Sequence, residues 1–416
     1  MLRPLMIPFV SVLLFSGVHK VVLKFDQEVD LPAVLFEYEV ISWEGISGQP
    51  MYKASIDYSG SKRNLLRDLA RLPNATHAEE NQTGDLVGQE AAARIDQRPI
   101  MLLDDSIINQ RPIMLLDEDL LGPHAPLYMQ SFLYDVRAQD CWEYTQGAGI
   151  TVAVLDTGID LEHDFFDGSI SPYGYDFVAE DSDPSDERID LDENGNGLLD
   201  EGWGHGTHVA GIIKLMAPQV TILPIRVVNS DGQAELFDII QGIHYAIISG
   251  AKVINMSMSI PDPSDLLDDW IDLAKYANVV VVTSAGNESR SSMDFPANKA
   301  GVLSVGSVDA DFIRSGFSNY SRKLDLSAPG EMIYSCLPGG GYVARTGTSM
   351  STPITSGAVA LIAELTPGSN VTYFHGRLKN NAYSIDSFNP DYRGKIGKGL
   401  VDVWNAITLQ DQPYPD

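Results

Sequence analysis

The sequence has 416 residues, 44% of them hydrophobic and 20% charged, enough to bury a core in two or three domains. Its 57 Asp and Glu against 28 Lys and Arg leave a formal net charge of -29, which excludes nucleic acid as a partner, because binding phosphates needs clustered Lys and Arg. The excess acid reads as a well-solvated surface, with adaptation to salt or calcium binding as alternatives. The two cysteines, Cys141 and Cys336, are too few for a disulfide framework and read as free thiols.

Taken in chain order, Arg3 precedes a mostly apolar run over residues 5–15. Residues 1–18 therefore read as a signal peptide, which predicts a secreted protein, extracellular or at the cell surface. A buried first strand is the alternative reading. No later stretch is long and apolar enough for a transmembrane helix. Residues 19–95 are mixed in pattern, with strand-like runs at 21–25 and 34–42. Residues 96–125 read as a linker, lengthened by a duplication in which 97–105 recurs as 110–118.

From residue 126 to 410 apolar strand-like runs alternate with helical patterns, before a short tail at 411–416. Strands are expected at 150–155, 221–228, 253–258 and 279–285, and helices at 207–215, 236–248 and 266–277. Continuous apolar runs between helices imply an α/β fold with a mostly parallel sheet covered on both faces. In such sheets sites form at the carboxyl ends of the strands, and the polar motifs fall there.

Four motifs carry chemistry. In Val154-Leu155-Asp156-Thr157-Gly158 an apolar strand ends in a carboxylate, which needs hydrogen-bonding partners once buried, a histidine N–H among them. Standing alone, Asp156 could equally be a turn former. In Gly204-His205-Gly206-Thr207-His208 the glycines let backbone approach His205 closely. A paired metal site would want histidines four residues apart with a Glu between, so His205 reads as a base and His208 as structural. In Gly347-Thr348-Ser349-Met350 the serine opens a helix whose N-terminal dipole and N–H groups suit a developing oxyanion, although Ser349 alone could be a helix cap. Finally, Ser284-Ala285-Gly286-Asn287-Glu288 delivers an amide to a strand end, where it can donate to a tetrahedral intermediate. Asn287-Glu288-Ser289 also matches a glycosylation acceptor, a reading that conflicts with a buried amide.

Together these motifs strongly resemble the subtilisin-like serine proteases, whose Asp, His, Ser chain order is that family's established pattern. The resemblance runs from about residue 126 to 409. It implies a hydrolase, a secreted serine endopeptidase acting on protein or peptide substrates through an acyl-enzyme at Ser349. His205 would be general base then acid, and Asp156 would orient it. Asn287 and the Ser349 N–H would form the oxyanion hole. Ser257, Met258 and Ser259 would line one substrate edge and Gly232 the other, and Gly286 would also bind substrate. The family's usual Leu-Gly-Gly is here Met258-Ser259-Ile260, so a shallower primary pocket for small or medium side chains is expected. By position, residues 19–95 resemble the family's prodomain, a small α+β folding assistant and intramolecular inhibitor, which makes the chain a zymogen and the mature enzyme a monomer.

Asp190, Asp192, Asn194, Asn196 and Glu201 fit a calcium-loop pattern, with Gly195 at the sharp turn. An acidic surface loop is the alternative, and no cofactor is expected for catalysis. Three rival functions remain at this level. A serine-carboxyl peptidase would need Glu for His205 and Asp for Asn287. A catalytically inactive binding protein on the same fold would not need the four motifs intact. A structural calcium-binding protein leaves Asp156, His205 and Ser349 without a role.

Overall fold

The structure is a computed structural model that describes residues 17–86 and 124–409. The apolar run at 5–15, the duplicated segment and the tail lie outside the described residues. By its contacts the chain divides into two units, between Gln82 and Thr83.

The first unit contains β1 (Gly17–Phe25), α1 (Leu31–Val34), β2 (Glu39–Gly45), β3 (Met51–Tyr58), α2 (Lys62–Leu69) and β4 (Ala75–Glu80). Its strands pair antiparallel in the order β2-β3-β1-β4. Val21, Leu23, Phe25, Ala54 and Ile56 from the sheet meet Leu65 and Leu69 of α2 in one small core. Ser61 caps α2 by accepting from the Asn64 N–H at 3.4 Å. The run expected as a strand at 34–42 is split: α1 takes its start, with Pro32 in the first turn where no N–H is needed, and β2 begins at Glu39. β1 begins at Gly17, inside the segment read as a signal peptide.

The second unit opens with β5 (Thr83–Leu86) and, after short helices α3 (Ala125–Tyr128) and α4 (Ser131–Asp135), continues as β6 (Thr151–Asp156), β7 (Tyr175–Asp176), α5 (His205–Met216), β8 (Thr221–Arg226), β9 (Gln233–Glu235), α6 (Leu236–Ile248), β10 (Val253–Met256), β11 (Met258–Ser259), α7 (Asp265–Tyr276), β12 (Val280–Ser284), β13 (Leu303–Val308), β14 (Leu326–Pro329), β15 (Ile333–Leu337), β16 (Gly341–Arg345), α8 (Thr348–Leu365), α9 (Val371–Asn380) and α10 (Val403–Thr408). Seven strands form a sheet in the order β14-β13-β12-β10-β6-β8-β7, and every pairing in it is parallel.

The sequence explains this sheet. Val152, Val154, Val253, Val280 and Val282 are buried, as β-branched runs are when helices cover both faces of a parallel sheet. On one face α5 packs against α8, and both are buried almost throughout their length. Small residues permit the closeness. A Cβ on Gly357 would come within 2.3 Å of the Met216 Cβ, so only glycine lets α8 approach α5 there. The expected strand over 253–258 breaks at Ser257 into β10 and β11, because the chain leaves the parallel sheet there and turns toward its edge partners.

Candidate active site

Three adjacent strands of the sheet, β6, β10 and β12, deliver the candidate residues at their carboxyl ends. Asp156 is the last residue of β6, Ser257 follows β10, and Asn287 follows β12. Helices α5 and α8 supply the other two, with His205 first in α5 and Ser349 second in α8.

Asp156 is fully buried. Its Oδ1 accepts from His205 Nδ1 at 2.7 Å and from the Thr157 N–H at 2.9 Å. The glycine after the histidine is required here, because a Cβ on Gly206 would lie 2.2 Å from the Gly158 carbonyl oxygen. With Nδ1 bound, Nε2 is the free ring nitrogen. It is buried and has no hydrogen-bond partner among the described residues.

His208 behaves differently. Its Nε2 lies 3.0 Å from the Ile333 carbonyl and 3.1 Å from that of Val343. Burial, with Arg345 and His205 adding to it, holds its pKa well below the ordinary histidine value. It is a neutral histidine that ties α5 to β15 and β16, as the sequence suggested.

Ser349 is fixed by reciprocal bonds with Ser257. The Ser349 Oγ donates to the Ser257 carbonyl at 3.3 Å, and the Ser257 Oγ donates to the Ser349 carbonyl at 3.1 Å. The second bond has a covalent origin. Pro353 lies inside α8 and has no N–H to give the carbonyl four residues earlier, which is that of Ser349. Asn287 is held from its other end: its Oδ1 accepts from the Thr348 N–H at 3.0 Å and the Thr348 Oγ1 at 2.9 Å. Its Nδ2 is left without a partner among the described residues. That orientation suits donation toward a substrate oxygen and leaves no room for the glycosylation reading.

The expected substrate edges are both paired, and with this chain's own strand. β5 lies antiparallel between β9 and β11. Leu86 pairs with Met258 and Asp85 with Ser259 on one side, Asp85 pairs with Gln233 on the other, and the Leu86 N–H donates to the Gly232 carbonyl at 3.0 Å. This is β-augmentation from two edges at once.

Two residues that the sequence left unmarked also belong here. Asp186 is buried, and its carboxylate accepts from the Gly204 N–H at 3.0 Å, the Thr207 N–H at 3.3 Å and the Thr207 Oγ1 at 2.7 Å. It thus clamps the turn that carries His205 from both sides. Burial pushes its pKa up to about 6, against the pull of those bonds. Asp294 lies directly against Gly286: a Cβ there would sit 2.2 Å from the Asp294 Oδ2. Neither stands in a recognisable pattern: Asp186 lies in a polar run and Asp294 between Met293 and Phe295, and such aspartates look alike until the chain folds.

In the 190–201 loop, Asn194 Nδ2 and Asn196 Nδ2 both donate to Glu201 Oε2, so three of the five expected ligands converge. Asp192 instead binds the N–H groups of Gly195, Asn196 and Gly197. The Asp190 N–H donates to Asp200 at 3.1 Å, and no bond joins the Asp190 carboxylate to the other four. Gly197, at φ +88°, makes the turn together with Gly195 at φ +74°. Among the described residues no group of three His, Cys, Asp or Glu side chains is arranged to hold a metal. Cys141 and Cys336 are buried free thiols, as expected.

A family model described as the subtilase family, peptidase S8, matches residues 147–399. The chain belongs to the subtilase family. It is 35% identical over 267 residues to subtilisin BL of Lederbergia lenta, which covers 62% of this chain and 90% of that protein. It is 38% identical to an intracellular serine protease of Paenibacillus polymyxa over 289 residues, 66% of this chain and 81% of that one. The crystal structure of a cold adapted subtilisin-like serine proteinase superposes with a TM-score of 0.55 at 32% identity, covering 62% of this chain and 90% of its own. This subtilase is a serine-type endopeptidase, and its parallel sheet is the subtilisin α/β fold. Among the described residues no helix is long and apolar enough to cross a membrane.

Proposed function

We propose that this subtilase hydrolyses peptide bonds through an acyl-enzyme at Ser349, with Asp156 and His205 completing the triad. The observation that carries the reading is the histidine: Nδ1 is bound to a buried carboxylate while the buried Nε2 has no partner among the described residues. The Ser349 Oγ attacks the scissile carbonyl carbon and passes its proton to His205 Nε2. Negative charge moves to the carbonyl oxygen, where Asn287 Nδ2 and the Ser349 N–H stabilise it. The C–N bond then breaks, His205 gives its proton to the leaving amine, and water releases the acyl group by the same steps reversed. Asp156 keeps the ring in the tautomer that leaves Nε2 able to accept.

The chain is a secreted precursor whose N-terminal part inhibits it, in this reading. Support comes from β5, which fills the groove between β9 and β11 where a substrate strand would add. Residues 1–18 are the export signal, and the mature enzyme is a monomer. The 190–201 loop binds calcium. Its donors are hard oxygens, as that ion requires. Turning the Asn194 amide about its last torsion would present its oxygen beside the Glu201 carboxylate, and Asn196 would contribute its backbone carbonyl. Asp192, with Asp190 beside it in sequence, would supply further oxygens.

The test is Ser349→Ala in the full chain. Peptidase activity and self-cleavage should both disappear while the precursor remains folded. Processing by the purified variant would overturn the assignment.

A further inference from the structure

The substrate class can be read from what stands behind Gly286. The oxyanion that Asn287 stabilises belongs to the residue just before the scissile bond, so that residue's side chain branches from the Cα next to the carbonyl carbon and lies against the wall beside Asn287. This wall is built by two backbone ties. The Asp294 N–H donates to the Ala285 carbonyl at 3.2 Å, and the Ile260 N–H donates to the Phe295 carbonyl at 3.0 Å. The segment around Asp294 therefore spans from the loop carrying Asn287 to the edge following β11. Its carboxylate fills the space that any side chain at Gly286 would need.

This wall carries charge. Asp294 has a side chain only 12% exposed, and Glu288 stands beside it. Burial first, and the Glu288 charge second, push the Asp294 pKa up to about 7. Hydrogen bonds from Asn319 and Arg290 outweigh burial at Glu288 and hold its pKa below the usual value. The two carboxylates already hold a guanidinium: the same Nη2 of Arg290 lies 3.1 Å from Glu288 and 2.5 Å from Asp294. Arg290 is 55% exposed, so this pair is of the solvent-screened kind that contributes little and exchanges readily.

We propose that Asp294 is the specificity-determining residue of this cleft, and that with Glu288 it receives the Lys or Arg side chain of the residue immediately before the scissile bond, displacing Arg290. This rests on the peptidase reading above and supplies its substrate class. This reading departs from the sequence expectation that Ser259 makes the pocket shallow and selects small or medium side chains: the occupant is a long side chain, and Asp294 sets the charge it meets. Without a cation beside it Asp294 takes up a proton readily, so the selectivity comes from attraction to a Lys or Arg side chain. Cleavage of the chain's own N-terminal segment is intramolecular, and its high effective concentration relaxes this demand.

The experiment measures kcat/KM of the activated enzyme on peptides identical except for Arg, Lys, Leu or Phe before the scissile bond. The wild type should prefer Arg and Lys over Leu by about tenfold or more. Asp294→Asn should lower the Arg-to-Leu ratio by about tenfold, and Glu288→Gln, at an exposed site, should lower it severalfold. Arg290→Ala should raise the ratio by removing the competitor. A fluorophosphonate probe and casein digestion report the peptidase reading separately. If Ser349 is labelled and casein is cut, but Leu or Phe is preferred and the ratio is unmoved by Asp294→Asn or Glu288→Gln, the specificity assignment is wrong while the mechanism stands. If Ser349 is not labelled and no peptide is cut, both fall.

Discussion

Replacing Asp186 with asparagine separates the charge of the clamp on the His205 turn from its shape. Burial raises the Asp186 pKa from 3.8 to about 6, so the folded protein holds this proton more tightly than the unfolded chain does. A raised carboxyl contributes stability that is fully present below pH 3.8 and is lost as pH rises through about 6. A shift of about two units amounts to about 3 kcal/mol across that window. Asparagine keeps one acceptor oxygen, for either the Gly204 N–H or the Thr207 N–H, so it loses one of the two bonds at every pH alike, and it carries no charge at any pH. The variant's stability relative to wild type should therefore improve by about 2 kcal/mol between pH 4 and pH 7. Alanine is the contrasting case. It strands three donors, Gly204 N, Thr207 N and Thr207 Oγ1, at about 1–3 kcal/mol each, partly offset by relief of the buried charge. It should destabilise the fold and also lower kcat by about ten- to a hundredfold, because the turn it loosens carries His205. Chemical denaturation at several pH values, in a Ser349→Ala background that cannot digest itself, measures the stability terms. Parallel pH profiles with and without Asp186→Asn would refute the reasoning.

Asn287→Ala should lower kcat by about 10²–10³ with KM little changed, a range established for subtilisin, a relative of this chain; a change confined to KM would argue against its role. Gly84→Val should weaken self-inhibition, since a Cβ at residue 84 would lie 2.4 Å from the Ser259 carbonyl oxygen. Time courses of precursor activation would register this as a shortened lag, and an unchanged lag would mean that β5 does not limit access. Calcium chelation should lower Tm and speed autolysis through loss of a ligand that binds the folded state, and Asp192→Ala with Glu201→Ala should blunt both responses. Melting curves unmoved by calcium in the wild type would leave the loop as a hydrogen-bonded turn.

The residues of the mechanism were legible because each stands in a local pattern tied to local physics. A β-branched run ending at Asp156, glycines around His205 and a serine opening the small-residue helix α8 each announce a strand end or a helix start. Most elements of the parallel sheet could be placed from apolar runs for the same reason, since period and burial are properties of short segments. The first unit was harder to read, because its split at α1 turned on one proline. What only the tertiary structure decided concerns groups brought together from distant parts of the chain. Asp186 meets the His205 turn across the 190–201 loop, and Thr83–Leu86 finds its partners at β9 and β11. Asp294 becomes a pocket residue only when its backbone is tied to Ala285 and its neighbour Phe295 to Ile260. An isolated aspartate has the same propensity wherever it stands. Its burial and its charge partners, which give it a role, exist only once the chain has closed around it.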